Sequence, residues 1–140
     1  LVYRLRLWIE ADPGRGYVST PADMVVDEYN VFAPDVWWVS EHRRPQDGQL
    51  DLAGLPDLVV EIRSPSTWAR DLGVKLPAYE AAGVAEAWYV DTEARTVMVF
   101  RRSDAASAHF GVVAEVTVEE ILTSPLLEGF ALRVGSIFGH

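Results

Sequence analysis

The chain has 140 residues, 49% of them hydrophobic and 24% charged, the balance of a folded domain with a core rather than of a disordered segment. Its 21 acidic residues outnumber its 12 Lys and Arg, for a formal net charge of −9, and every base except Lys75 is an arginine. The absence of cysteine excludes disulfides, thiolate metal sites and a Cys nucleophile. No apolar run approaches the roughly 18–20 residues that span a bilayer and no signal-peptide pattern opens the chain, so no membrane association and a cytoplasmic location are expected. The acidity argues against a broad basic surface of the kind that binds nucleic acid non-specifically, although a local site is compatible with it.

Leu1, Leu5, Trp8 and Ile9 recur at helical spacing, and Asp12-Pro13-Gly14 stops the helix. This helix has no cap, which suggests residues upstream of Leu1. Residues 17–27 are expected to form a first strand interrupted near Pro21, and residues 35–40 a second. Glu41 to Pro56 is a polar stretch of sixteen residues, long for a hairpin loop. Residues 57–63, Asp-Leu-Val-Val-Glu-Ile-Arg, carry the strongest strand signal. Ser64 to Thr67 reads as a turn into a helix that ends at Gly83, with Pro77 tolerated if residues 71–75 form an irregular first turn. Residues 87–91 and 96–101 flank a hairpin turn, and a strand comes next around 110–116. Thr117 with Glu120 has the spacing of a helix-opening capping box. Residues 130–134 read as a last short strand. This order implies one α+β or mixed α/β domain over 1–140, with helices packed on a twisted sheet.

Glu61 is the first chemically informative residue, because a carboxylate inside so apolar a strand costs several kcal/mol, on the order of usual polar-burial penalties, unless it is partnered. An edge strand with one wet face is the alternative. Asp57 and Glu61 stand about 13 Å apart along the strand, too far to share one ion readily, and Asp57 after Pro56 suits a turn-starting role. Asp35 is better placed. If 35–40 pairs antiparallel with 57–63, Asp35 faces Glu61, Trp37 faces Val59 and Val39 faces Asp57, and cross-strand neighbours lie about 4.5–5.5 Å apart. Two such carboxylates suit Mg²⁺ or Mn²⁺. Lys75, fourteen residues after Glu61, stands at the start of the returning helix and can reach the strand ends, or can pair with Asp71 four residues earlier.

The run Pro34-Asp35, Pro56 to Ile62, Ser64 to Thr67, Asp71, Lys75, Tyr79 and Ala82-Gly83-Val84, continued by Glu86 to Asp91, resembles the Uma-two family of restriction endonucleases. That family lies within the PD-(D/E)xK nuclease superfamily, and the resemblance covers nearly the whole chain. It implies a restriction-endonuclease-like core, a central mixed β-sheet flanked by helices, and a homodimer. It also implies a further N-terminal hairpin and the start of the first helix, both upstream of Leu1. By position it makes Asp35 and Glu61 metal ligands, with the Ile62 backbone carbonyl as a further donor. Lys75 becomes the catalytic lysine, displaced to the helix because Arg63 occupies the usual place two residues after the acid. Arg63 suits phosphate charge but is a poor proton acceptor. Asp71, Tyr79 and Arg63 then support the ligands, and Arg43 and Arg44 are the local basic pair for nucleic-acid contact, or a solvated pair.

Together these residues imply a metal-dependent endonuclease acting on DNA phosphodiester bonds. The rival is a nuclease-fold binding or scaffold protein that does not cut, which the net charge and Arg63 favour. An enzyme acting on RNA or small nucleotides is the third possibility. His42, His109 and His140 lack ligand spacing. Ser64 and Ser66 lack a triad, and Gly14-Arg15-Gly16 is too short for a phosphate loop. Trp37 and Trp38 point to opposite faces of their strand, one for the core and the other for core or groove.

Overall fold

A computed structural model describes residues 1–45, 55–63 and 68–139. Among these, helix α1 (Val2–Glu10) leads into strands β1 (Tyr17–Ser19), β2 (Met24–Val25), β3 (Val31–Phe32), β4 (Val36–Val39) and β5 (Leu58–Ile62). A helical segment comes next in three parts: α2 (Trp68–Arg70), a wide π-type turn (Asp71–Lys75) and α3 (Leu76–Ala82). Strands β6 (Glu86–Asp91), β7 (Thr96–Arg101), β8 (Val112–Val116), β9 (Ile121–Leu122) and β10 (Leu132–Arg133) complete the chain, with a final 3₁₀ turn at Val134–Phe138. The turn expected at Ser64–Thr67, most of the long polar stretch, and His140 lie outside the described residues.

Six strands form one mixed sheet in the order β1-β4-β5-β6-β7-β8, in which β5 and β6 are parallel and the other neighbours antiparallel. Parallel neighbours need a crossover, and the helical segment 68–82 supplies it. The alternation of side chains along each strand then divides the core in two. On one face Val36, Trp38, Leu58, Val60, Trp88, Val90, Val97 and Val99 pack under Leu5 of α1 and Leu122, Leu127, Phe130, Leu132 and Val134. On the other, Val59, Ala87 and Tyr89 pack with Tyr79, Val84, Phe32 and Phe110. Burial on both faces explains the almost uninterrupted apolar run of β5. Both tryptophans of β4 are core residues, Trp38 on the first face and Trp37 in a smaller cluster with Met24 and Val39.

Two glycines have backbone roles that other residues would strain. Gly83 caps α3 in the left-handed conformation, φ 95°, and Gly16 has φ 86° with its amide donating to Glu41 Oε2. A side chain at Gly16 would run into the Val39 carbonyl and the Trp38 ring.

The expected first strand is broken at Pro21 into β1 and β2, and Pro77 falls in the first turn of α3, directly after the irregular turn at Asp71–Lys75. Thr117 corrects an expectation. Its amide and hydroxyl both donate to Glu120 Oε2, at 2.7 and 3.1 Å, yet the chain turns and enters β9 rather than a helix. Leu122 is drawn into the core and pairs with Leu132 of β10, and Pro125 would in any case stop a helix.

At the far end of the sheet from the candidate site, Glu86 is a buried carboxylate with a full set of donors. Arg101 Nε (2.8 Å), Ser124 Oγ (2.9 Å) and Trp88 Nε1 (2.5 Å) converge on it, tying β6 to β7 and to the C-terminal segment. Glu86→Ala strands all three donors and is expected to lower stability by about 3 kcal/mol, read as a reduced urea midpoint at unchanged slope.

Candidate active site

The antiparallel pairing of β4 with β5 aligns Val36 with Val60 and Trp37 with Val59. That register brings Asp35, one residue before β4, beside the end of β5, and its Oδ2 accepts the Ile62 amide at 2.7 Å. Glu61 follows the alternation to the helical face of the sheet, where it is 1% exposed. The hydroxyl of Tyr79, from α3, donates to Glu61 Oε1 at 2.9 Å, and Lys75 Nζ lies 3.4 Å from Oε2. Lys75 Nζ also lies 3.1 Å from Asp71 Oδ1, so the two partners weighed for it are both present.

The wide turn is what assembles these groups. Its closing bond runs from the Leu76 amide to the Asp71 carbonyl, and the same carbonyl accepts the Tyr89 hydroxyl at 2.7 Å. Tyr89 neighbours Glu61 in the parallel register, so β6 anchors the turn directly over β5. Phe32 supplies an aromatic wall. It meets Tyr79 edge-on, and Lys75 Nζ and the Arg70 guanidinium lie 5.8 and 5.9 Å from its centroid.

Burial pushes the Glu61 carboxyl up to about 7, and the charges of Asp35 and Asp71 add to the rise; Lys75 and the Tyr79 hydroxyl pull against it. Tyr79 and Tyr89 are both pushed well above the ordinary phenol value, chiefly by burial and then by the Glu61 charge, so they act as hydrogen-bond donors.

Glu61, Asp71, Lys75 and Tyr79 thus share hydrogen bonds and ion pairs, and Asp35, bonded to the Ile62 amide, lies near enough for its charge to act on Glu61. The other named residues stand apart from this hydrogen-bonded cluster. Arg63 faces Asp91, its neighbour across the parallel strands, at 3.2 Å, pairs with Glu93 at 3.1 Å and stacks on Trp68; these partners draw it sideways along the sheet. Arg43 is held by Asp57 at 2.7 Å and by the Leu55 carbonyl, while Arg44 lies 3.7 Å from Glu41 and over the Tyr17 ring. Asp57 fastens the exit of β4 to the entry of β5, accepting the Ser40 amide at 2.8 Å. His42 and His109 are exposed. Reasoning from sequence missed Tyr89, Phe32 and Arg70. The first two carry an ordinary core signature, and nothing in the order of residues sets Arg70 apart from the other arginines.

The donor set fits a hard divalent cation in chemical type. It offers two carboxylates from adjacent strands, one of them buried with its charge disfavoured by acidic neighbours, and Mg²⁺ is commonly held by one or two carboxylates with the remaining positions left to water and phosphate oxygens. Among the described residues no group of three or more His, Cys, Asp or Glu forms a cage of its own.

The fold and this cluster define a mixed-sheet nuclease-like architecture. A solved structure from Anabaena variabilis, described as a "putative nuclease belonging to DUF820", matches with a TM-score of 0.76 at 15% identity, over 98% of this chain and 75% of that one. At that identity the likeness establishes a shared fold. The model of the Uma2 family, described as "Putative restriction endonuclease", matches residues 1–135, and the chain belongs to that family. No curated protein matches it. No helix among the described residues is long and apolar enough to cross a membrane.

Because folding raises the Glu61 value from the usual 4.5 to about 7, the native state holds that proton more tightly than the unfolded chain. The resulting stabilisation is complete below about pH 4.5 and is lost as the pH rises through about 7. In metal-free buffer, the stability of the wild type relative to Glu61→Gln should therefore fall across this window, by on the order of 2 kcal/mol, in urea titrations at stepped pH.

Proposed function

We propose that the protein is a metal-dependent nuclease that hydrolyses phosphodiester bonds in DNA. The observation that supports this reading is Lys75 held against the buried Glu61, with Asp35 fastened to the next residue of β5, in a member of a restriction-endonuclease family. Asp35 and Glu61 are the residues that would hold Mg²⁺ or Mn²⁺, with the Ile62 backbone carbonyl adjoining them. Bound there, such an ion supplies an activated water and neutralises charge on the phosphodiester.

The chain's own residues supply the rest. Tyr79 fixes Glu61 Oε1, which leaves the carboxylate little freedom to swing. Lys75 donates a hydrogen bond to Glu61 Oε2 and ion-pairs with Asp71 Oδ1, which holds its ammonium in place to orient the attacking water or to stabilise negative charge developing on the phosphoryl oxygens. Asp71 holds Lys75 in place, and Tyr89 holds Asp71. Burial of Glu61, Asp71, Tyr79 and Tyr89 strengthens these interactions relative to water.

The test is cleavage of supercoiled and linear DNA with Mg²⁺ or Mn²⁺, with RNA and dinucleotides run alongside. Wild type should cut DNA, and chelation should abolish cutting. Asp35→Asn, Glu61→Gln and Lys75→Ala should each lower the rate by about 10²-fold or more while circular dichroism stays unchanged. Cutting that survives in Glu61→Gln and Lys75→Ala rejects this site. Site-specific Mn²⁺ binding without cutting of any substrate supports instead a nuclease fold that binds but does not cut.

A further inference from the structure

We propose that Arg70 is a substrate-binding residue of this site, gripping a backbone phosphate of the nucleic acid beside the Glu61–Lys75 cluster. The assignment rests on the nuclease reading and names a substrate contact within it.

The first support is geometric. Arg70 and Lys75 are five residues apart, a separation that in an α-helix turns side chains about 140° away from each other. The wide turn at Asp71–Lys75, closed by a bond spanning five residues, undoes that divergence. Both cations consequently end over one ring, that of Phe32, at 5.9 and 5.8 Å.

The second is electrostatic. Lys75 is largely buried and lies against two carboxylates, whereas Arg70 is exposed and, among the described residues, has no carboxylate within 4 Å. Two acids, Glu61 and Asp71, lie against this one ammonium, and Asp35 adds its charge beside Glu61, in a chain of net charge −9. A divalent cation on Asp35 and Glu61 together with Lys75 only balances these three acids, so a phosphodiester arriving here gains net attraction from a further cation, and Arg70 is the exposed one at hand. Arg63, nearer to Glu61 in sequence, is held by Asp91 and Glu93 instead.

The third is chemical. A guanidinium presents a planar fork that matches two phosphate oxygens and carries its charge permanently. An aromatic ring beneath it steadies the fork without neutralising it.

The experiment measures binding of a fluorescent duplex oligonucleotide to the full chain across a salt series, with Ca²⁺ as the divalent ion, alongside Mn²⁺-supported cleavage. Arg70→Ala should weaken binding about 5–10-fold and make the plot of log K against log salt shallower by about one, the signature of one lost phosphate contact. Its KM should rise while kcat changes little, and Arg70→Lys should restore the salt slope. Wild-type affinity and slope in Arg70→Ala overturn the assignment and leave the nuclease reading standing. Weaker binding with an unchanged slope also overturns it, since that marks a merely structural role. A wild type that neither binds nor cuts nucleic acid overturns both.

Discussion

A carboxylate held out of water in the middle of a sheet is the constraint on which this site depends. Glu61 sits on β5, a strand whose two faces both carry core residues, and is covered by the crossover that a parallel β5–β6 pair requires. The covering segment has to bring its own polar atoms, and it brings Tyr79, Lys75 and Asp71. The topology and the chemistry are therefore one problem. A plain apolar helix would leave the carboxylate unpartnered at a penalty of several kcal/mol, on the order of other buried unpaired charges.

The two buried glutamates of the sheet illustrate different uses of the same expense. Glu86 is surrounded by donors from Arg101, Trp88 and Ser124, which join three parts of the chain. Glu61 has one hydroxyl and one ammonium that it shares with Asp71, with Asp35 adding negative charge nearby. The first arrangement is saturated and serves cohesion. The second retains an appetite for positive charge, which is the property a cation-dependent enzyme needs.

Much of this is legible in the order of residues alone. The β4–β5 register follows from parity, because only one alignment puts Asp35 opposite Glu61 while Trp37 meets Val59, and that alignment is the one observed. Lys75 stands out as the lone lysine, and Gly83 as a helix stop. Other features cannot be read in the same way. The capping box at Thr117 forms its local hydrogen bonds, but the fate of the next residues depends on Leu132, ten positions beyond Leu122. Tyr89 and Phe32 look like core, and they are core; their second role comes only from the groups packed over them. Arg63 has the sequence position of a site residue, yet Asp91 and Glu93 hold it in a lateral ion-pair network.

The wide turn between Arg70 and Leu76 has a consequence of a different kind. Side-chain substitutions are the usual way to ask what a site needs, but this turn encodes part of the site as a number of residues. Gly73, at its centre, has open space around it, and no side-chain contact marks it out. Deleting that one residue would keep every acid, base and aromatic group of the site. It would also let the segment relax into an ordinary helix, rotating α3 by about 100° relative to α2. Chain length at this turn is therefore as much a part of the cluster as any of its side chains, and a change of one residue here displaces the whole group while leaving every motif intact.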